Sequence, residues 1–277
     1  YSVEKNVQII ISLMKAHGIK RVVASPGSTN VCLVYSLQND AYFEIFSSVD
    51  ERSAAYMACG MAAETGEPVA ITCTEATASR NYLPGLTEAF YRKLPVLAIT
   101  ATNESTHVGQ NYPQMIDRSV LPKDVAKKSI HIPILEDNAK KMRGYINLIN
   151  DAMTELTRHG GAPVHIEYET RYSSDYSVQE LPEVNVTHRI TIDENFPILP
   201  EGNIAIYVGA HKRWSDKLID AVDSFCEKYN AIVLCDHIAN YPGKYGVYHT
   251  LMTCQMNYQY RCAQIDTVIY IGEVSSA

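Results

Sequence analysis

Apolar residues recur along this chain in two rhythms. Val3, Val7, Ile10, Ile11 and Met14 are spaced three and four apart and predict an amphipathic helix from Ser2 to His17, closed by Gly18. Lys20–Ala24 reads as a strand, followed by the turn Ser25-Pro26-Gly27-Ser28 and a helix from Thr29 to about Gln38. A second strand, Phe43–Phe46, leads into a helix that opens at Glu51 and closes at Gly66, with Ala54, Ala55, Met57, Ala58, Met61 and Ala62 at helical spacing. Pro68–Cys73 is almost unbroken apolar sequence, as expected of a strand covered on both faces. A helix over Thr77–Arg92 and a strand over Pro95–Thr100 come next. A polar loop, Ala101–Gln114, is followed by helical segments near Ser119–Lys127 and Asn138–Arg158, and by a last strand, Pro163–Glu167.

Strands alternating with helices across short turns predict an α/β fold with a doubly wound parallel sheet over residues 1–170. Residues 171–203, where Pro182, Pro197 and Pro200 sit among polar residues, read as a linker. Residues 204–277 begin a second, Rossmann-like α/β unit with strands at 204–209, 231–235 and 267–272 and a helix over Ser215–Tyr229. Three strands without the elements that would cover them read as a partial domain, so the chain is expected to be an N-terminal fragment. Gly209-Ala210-His211-Lys212 lacks the GxGxxG spacing, which makes a dinucleotide site there a weak alternative.

Composition narrows the function classes. Of 277 residues, 46% are hydrophobic and 20% charged, an ordinary globular mix. The net charge of −7, without any basic block, argues against nucleic acid as a partner. No apolar run approaches bilayer length, so no membrane partner is expected. The seven cysteines form no CxxC pair and the nine histidines are scattered, so no metal site is assigned and a reduced, cytoplasmic setting is expected.

In an open parallel sheet, ligands bind beyond the carboxyl ends of the strands. Those ends carry Ser25–Ser28, Asp50-Glu51, Thr74-Glu75-Ala76-Thr77 and the loop to Gln114. Each has an ordinary explanation taken singly. Pro-Gly makes a tight turn, Asp50 caps a helix, Glu51 complements its dipole, and Thr74 and Thr77 act as caps. Four polar turns on one edge are more than a fold requires.

These turns also carry a resemblance. Ser25-Pro26-Gly27-Ser28, Val49-Asp50-Glu51-Arg52, Gly60, the Thr74–Asn81 turn and Ala89–Thr100 together resemble the pyrimidine-binding domain of thiamine-diphosphate enzymes. That family includes acetolactate synthase, the 2-oxoacid decarboxylases and 2-succinyl-5-enolpyruvyl-6-hydroxy-3-cyclohexene-1-carboxylate synthase, and "S-P-G-S" and "D-E-R" are nearest to the last. The resemblance implies a carboligase or decarboxylase acting on a 2-oxoacid with thiamine diphosphate. Glu51 would be the catalytic acid on the aminopyrimidine, and Pro26, Gly27, Thr74, Thr77 and Asn81 would line the cofactor. Ser28, Thr29, His107 and Gln110 would lie on the substrate side. It implies Mg²⁺ ligands in a further C-terminal domain, since no Gly-Asp-Gly occurs here, and a homodimer or homotetramer. The 277 residues alone are then expected to be inactive.

Several positions depart from the family pattern. Thr29 stands where the menaquinone-pathway enzyme has an arginine, and Ala101–Ser105 replaces its "D-R-P-P-E". Thr74-Glu75-Ala76-Thr77 replaces "T-S-G-T/P", adding a carboxylate and losing a glycine. A non-catalytic α/β module that keeps the fold is the alternative reading.

Overall fold

The computed structural model describes residues 1–250 and 264–273 and divides the chain into two compact units, Tyr1–Arg189 and Ile190–Ala277. In the first unit the strands are β1 (Arg21–Ala24), β2 (Glu44–Ser47), β3 (Val69–Cys73), β4 (Val96–Thr102), β5 (Lys128–Ile132) and β6 (Val164–Glu169). They form one sheet in the order β2-β1-β3-β4-β6-β5, parallel throughout. The central strands β3 and β4 are buried along their whole length, as their continuous apolar runs require.

Helices cover both faces. α1 (Lys5–Ala16), α2 (Val31–Gln38) and α6 (Ala139–Thr154) pack over one, where Ile10, Leu13, Leu33, Ile149 and Met153 are buried. α3 (Glu51–Thr65) and α5 (Leu83–Arg92) pack over the other. Small residues let the last two approach closely: a Cβ added at Gly85 would lie 2.5 Å from the Cβ of Ala55. Cys59 Sγ donates to the Gly85 carbonyl across that contact at 3.2 Å.

Several expectations need correction. The helix read over Thr77–Arg92 is two, α4 (Thr77–Asn81) and α5, parted at Tyr82. Pro84, with no N–H, removes the hydrogen bond that would carry one helix into the next. The segment 119–127 is a run of turns, with Val125 N donating to Pro122 O at 3.2 Å, and β5 follows it where no strand was expected. Residues 171–189 run along the first unit: Val3 N donates to Asp175 O at 3.1 Å and Ser12 Oγ to Pro182 O at 3.0 Å.

The second unit holds β7 (Ile204–Val208), α7 (Asp216–Tyr229), β8 (Ile232–Cys235), β9 (Gly246–Tyr248) and β10 (Thr267–Ile271). Its sheet runs β10-β7-β8-β9, so a fourth strand, β9, joins the three expected. At the carboxyl ends of β7 and β10 the backbone closes on itself. Gly209 N donates to Ile271 O at 3.0 Å and Glu273 N to Ala210 O at 2.9 Å. A Cβ on Gly209 would lie 2.1 Å from Glu273 O, so backbone occupies the crevice a dinucleotide would need. The five described cysteines are buried and unpaired, and Cys254 and Cys262 fall outside the described residues.

Candidate functional site

Asp50 starts α3. Its carboxylate accepts from Ser53 N at 2.9 Å and Ser53 Oγ at 2.6 Å, satisfying donors that a helix start leaves open. That cap fixes Glu51 as the first helical residue, half-buried at the edge where β1 and β3 end. Its Oε2 accepts from Asn81 Nδ2 at 3.1 Å, and its carboxylate takes no other hydrogen bond among the described residues. The charge of Glu51 reaches two buried neighbours. Burial, then the Cys73 thiol, then Glu51 push the Tyr82 phenol well above its ordinary range. Burial and Glu51 likewise push the Cys73 thiol up to about 12.

The turn after β1 is built on Asn30. Its Oδ1 accepts from Gly27 N at 2.8 Å, while Nδ2 donates to Ser25 O at 3.2 Å and Thr72 Oγ1 at 3.4 Å. Gly27 abuts the turn after β3: a Cβ there would lie 2.3 Å from Thr74 Cγ2. In that second turn Ala76 has φ 58° and ψ −137°, a conformation suited to glycine. The missing glycine of the sequence pattern is therefore a real strain at this position. Three hydroxyls of this edge, Ser25 Oγ, Thr29 Oγ1 and Tyr82 OH, are buried without a hydrogen-bond partner of good geometry, although the Tyr82 phenol faces the Ser25 hydroxyl and the Cys73 thiol. Buried polar groups ordinarily find partners, so the polar groups of this edge are less completely satisfied than those of a finished core.

The structure thus brings together Glu51 with Asn81, and Gly27 with Thr74. Thr29 is buried beside them, whereas Pro26, Ser28 and Thr77 are exposed. His107 and Gln110 form a turn of their own, with Gln110 N donating to His107 O at 3.0 Å and the imidazole stacked 4.3 Å from the Tyr112 ring. No hydrogen bond among the described residues joins that turn to Glu51. Glu75 is buried and takes a structural set of donors: Asn103 N at 3.1 Å, Asn103 Nδ2 at 3.0 Å and Tyr172 OH at 3.3 Å.

Pattern reading missed a second polar cluster, at the ends of β5 and β6. His131 Nδ1 bonds Glu167 Oε2 at 2.8 Å and its Nε2 bonds Glu169 Oε1 at 3.1 Å, and Arg118 Nε pairs with Glu167 Oε1. Those hydrogen bonds raise His131 to about 9. Burial works against the charge on Glu167, but His131 and Arg118 outweigh it and hold the carboxyl at about 2. For Glu169 burial is likewise outweighed by His131 and the Ser105 N–H, again leaving about 2. A signal was present: His165, Glu167 and Glu169 alternate with Val164, Ile166 and Tyr168, a polar row on one face of a strand. Among the described residues no three His, Cys, Asp or Glu are grouped to hold a metal.

Residues 5–121 match the family described as thiamine pyrophosphate enzyme, N-terminal TPP binding domain. A 2-succinyl-5-enolpyruvyl-6-hydroxy-3-cyclohexene-1-carboxylate synthase of Bacteroides thetaiotaomicron is 36% identical over 191 residues, 68% of this chain and 34% of the relative. Enzymes of the same name from Porphyromonas gingivalis and Haloarcula marismortui are 33% and 32% identical, over 65% and 59% of this chain and 32% and 28% of theirs. The chain spans about a third of the length of these curated relatives. A solved structure from Mycobacterium smegmatis, described as a thiamin diphosphate-dependent enzyme, aligns with a TM-score of 0.52 at 18% identity. It covers 84% of this chain and 44% of that one, and shares the fold.

Proposed function

We propose, for a chain whose first unit belongs to the N-terminal TPP-binding domain family of the thiamine pyrophosphate enzymes, that it acts within a carboligase or decarboxylase of 2-oxoacids. Glu51 is the acid that engages the cofactor's aminopyrimidine. One observation carries this reading: a half-buried carboxylate, held through one oxygen by Asn81, stands at the same sheet edge as three buried hydroxyls that lack partners of good geometry. When bound, thiamine diphosphate supplies the carbon centre that adds to the 2-oxoacid carbonyl and holds the electron pair left by decarboxylation.

The protein's part is to orient and to move a proton. A carboxyl accepts a hydrogen bond when ionised and donates one when protonated, so Glu51 can exchange a proton with a ring nitrogen. Asn81 fixes the plane of that carboxyl by taking Oε2, which leaves Oε1 for the pyrimidine. Ser25, Thr29 and Tyr82 offer hydroxyls to its polar edge. Pro26, Gly27, Thr74 and Thr77 shape the wall, and Ser28, His107 and Gln110 lie toward the substrate.

Mg²⁺ and the diphosphate are held, in this reading, by oxygen ligands of another domain of the complete enzyme. The 277 residues alone would not turn over. The resemblance of the turns implies a 2-oxoacid as substrate, while Thr29 and Ala101–Ser105 set this chain apart in the substrate loop. α3 exposes Tyr56 and Met57 opposite its buried alanine face, a surface suited to a homodimer or homotetramer. We place the enzyme in the cytoplasm, in keeping with its unpaired buried cysteines; no described helix is long and apolar enough to cross a membrane. The test is Glu51→Gln in the complete enzyme. Loss of most activity with an unchanged unfolding midpoint supports the assignment, and normal turnover contradicts it.

A further inference from the structure

Arg118 is 5% exposed, the one Lys or Arg buried among the described residues. A guanidinium cannot shed its charge, so burying one is costly unless its N–H groups are held. Nε pairs with Glu167 Oε1 on β6, and Nη1 donates to Ser79 Oγ at 3.0 Å. Glu167 is anchored in turn, its Oε2 bonded to His131 Nδ1 on β5. The planar fork therefore spans from the sheet to α4.

α4 needs such an anchor. Its five residues close little more than one turn, which does not hold a helix by itself, and no side chain caps its start at Ala76. Its last three residues each reach a different neighbour. The Ser79 hydroxyl donates to Ala76 O at 2.7 Å, which leaves its lone pairs for Arg118. Arg80 Nη2 donates to Asp117 O at 2.7 Å. Asn81 Nδ2 donates to Glu51 Oε2. Residues 117 and 118 thus grip α4 at the two positions just before the one that holds the acid. The two charges also share a neighbour: Cys73, lifted chiefly by burial, is raised further by Glu51 and lowered by Arg118.

We propose that Arg118 is a positioning residue for Glu51: by bridging Glu167 and Ser79 it fixes α4, and with it the Asn81 amide that orients the acid. The inference rests on the Glu51 reading and gives the residues that follow the substrate loop a part in the reaction.

The test is hydrogen–deuterium exchange at the cofactor's thiazolium carbon, in the complete enzyme loaded with thiamine diphosphate and Mg²⁺. Arg118→Lys keeps the charge but puts one nitrogen where a fork held two partners. Ser79→Ala leaves the pair with Glu167 whole and removes the α4 end of the bridge. Each should slow exchange about threefold to tenfold, the worth of one hydrogen bond, with the cofactor still bound. In an Asn81→Ala background the route to the acid is already broken, so adding either substitution should change the rate less than about twofold. A packing role alone would lower the unfolding midpoint and leave exchange in the folded enzyme unchanged. Exchange at the wild-type rate in both single variants, or an undiminished effect beside Asn81→Ala, would overturn the inference. Glu51→Gln, run in parallel, separates the two claims. Slow exchange there, with wild-type exchange in Arg118→Lys and Ser79→Ala, overturns this inference and keeps the Glu51 reading. Wild-type exchange in Glu51→Gln overturns both.

Discussion

Asn81 Nδ2 donates to Glu51 Oε2 at 3.1 Å, across 30 positions of sequence and from a different helix. The acid at the head of α3 is thereby held by the last residue of α4, so its orientation depends on the turn after β3. Removing the amide frees the carboxylate without creating a large void. Asn81→Ala in the complete enzyme is expected to lower kcat about tenfold to a hundredfold, the worth of one hydrogen bond to a charged group. A structural role alone would shift the unfolding midpoint. A positioning role shows in kcat with that midpoint kept.

Ala76 occupies a conformation that costs a residue with a side chain about 1–3 kcal/mol. Glycine relieves that cost and adds about 0.5–1 kcal/mol of chain entropy loss on folding. Ala76→Gly should therefore stabilise the protein, by about 1 kcal/mol, seen as a higher urea midpoint at constant slope. An equal or lower midpoint would mean that the turn adopts another conformation in solution.

Gly27 and Thr74 tie the two turns together. An alanine methyl at position 27 would come within 2.3 Å of Thr74 Cγ2, which forces one turn to move. Gly27→Ala should cost about 1–3 kcal/mol, as overpacking generally does. Thr74→Ser removes the methyl that is struck, so the double variant should recover most of the loss. A double variant no more stable than Gly27→Ala would show that the strain lies in the backbone of residue 27.

The His131 cluster gives stability a pH dependence. Its folded pKa of about 9 lies above the ordinary 6.5, so the stabilisation is complete below about pH 6.5 and lost as pH rises through 9. The imidazole side chain is 34% exposed, and allowing for solvent screening leaves about 1–2 kcal/mol. Glu167 and Glu169, held at about 2 against an ordinary 4.5, contribute above pH 4.5 and lose that contribution as pH falls through 2. Urea unfolding of wild type and His131→Gln at pH 6.5 and 9.5 should show the difference between them shrinking at the higher pH. A constant difference would remove the charge from the account.

The order of elements was legible because β3 and β4 are continuous apolar runs and α3 is patterned in alanine. β5 was not, since Lys128-Ser129-Ile130-His131-Ile132 is short and follows a segment whose turns depend on Pro122. β9 has only three residues. Of the candidate site, Glu51 and the turns could be placed from strand ends alone. The Glu51–Asn81 bond, the Gly27–Thr74 contact and the joining of Arg118 to Glu167 lie between residues distant in sequence, and no local pattern encodes them. The role of Glu75 as a buried acceptor depends on Asn103 and Tyr172, neither of which its own turn reveals.

The central claim is that Glu51 exchanges a proton with the cofactor's pyrimidine and so makes its thiazolium carbon acidic. Proton magnetic resonance of hydrogen–deuterium exchange at that carbon, in the complete enzyme loaded with thiamine diphosphate and Mg²⁺, reads this directly and needs no substrate. The account predicts exchange slower by about a hundredfold or more in Glu51→Gln than in wild type, with the cofactor still bound, as loss of a general acid–base group implies. Exchange at the wild-type rate in that variant would contradict it.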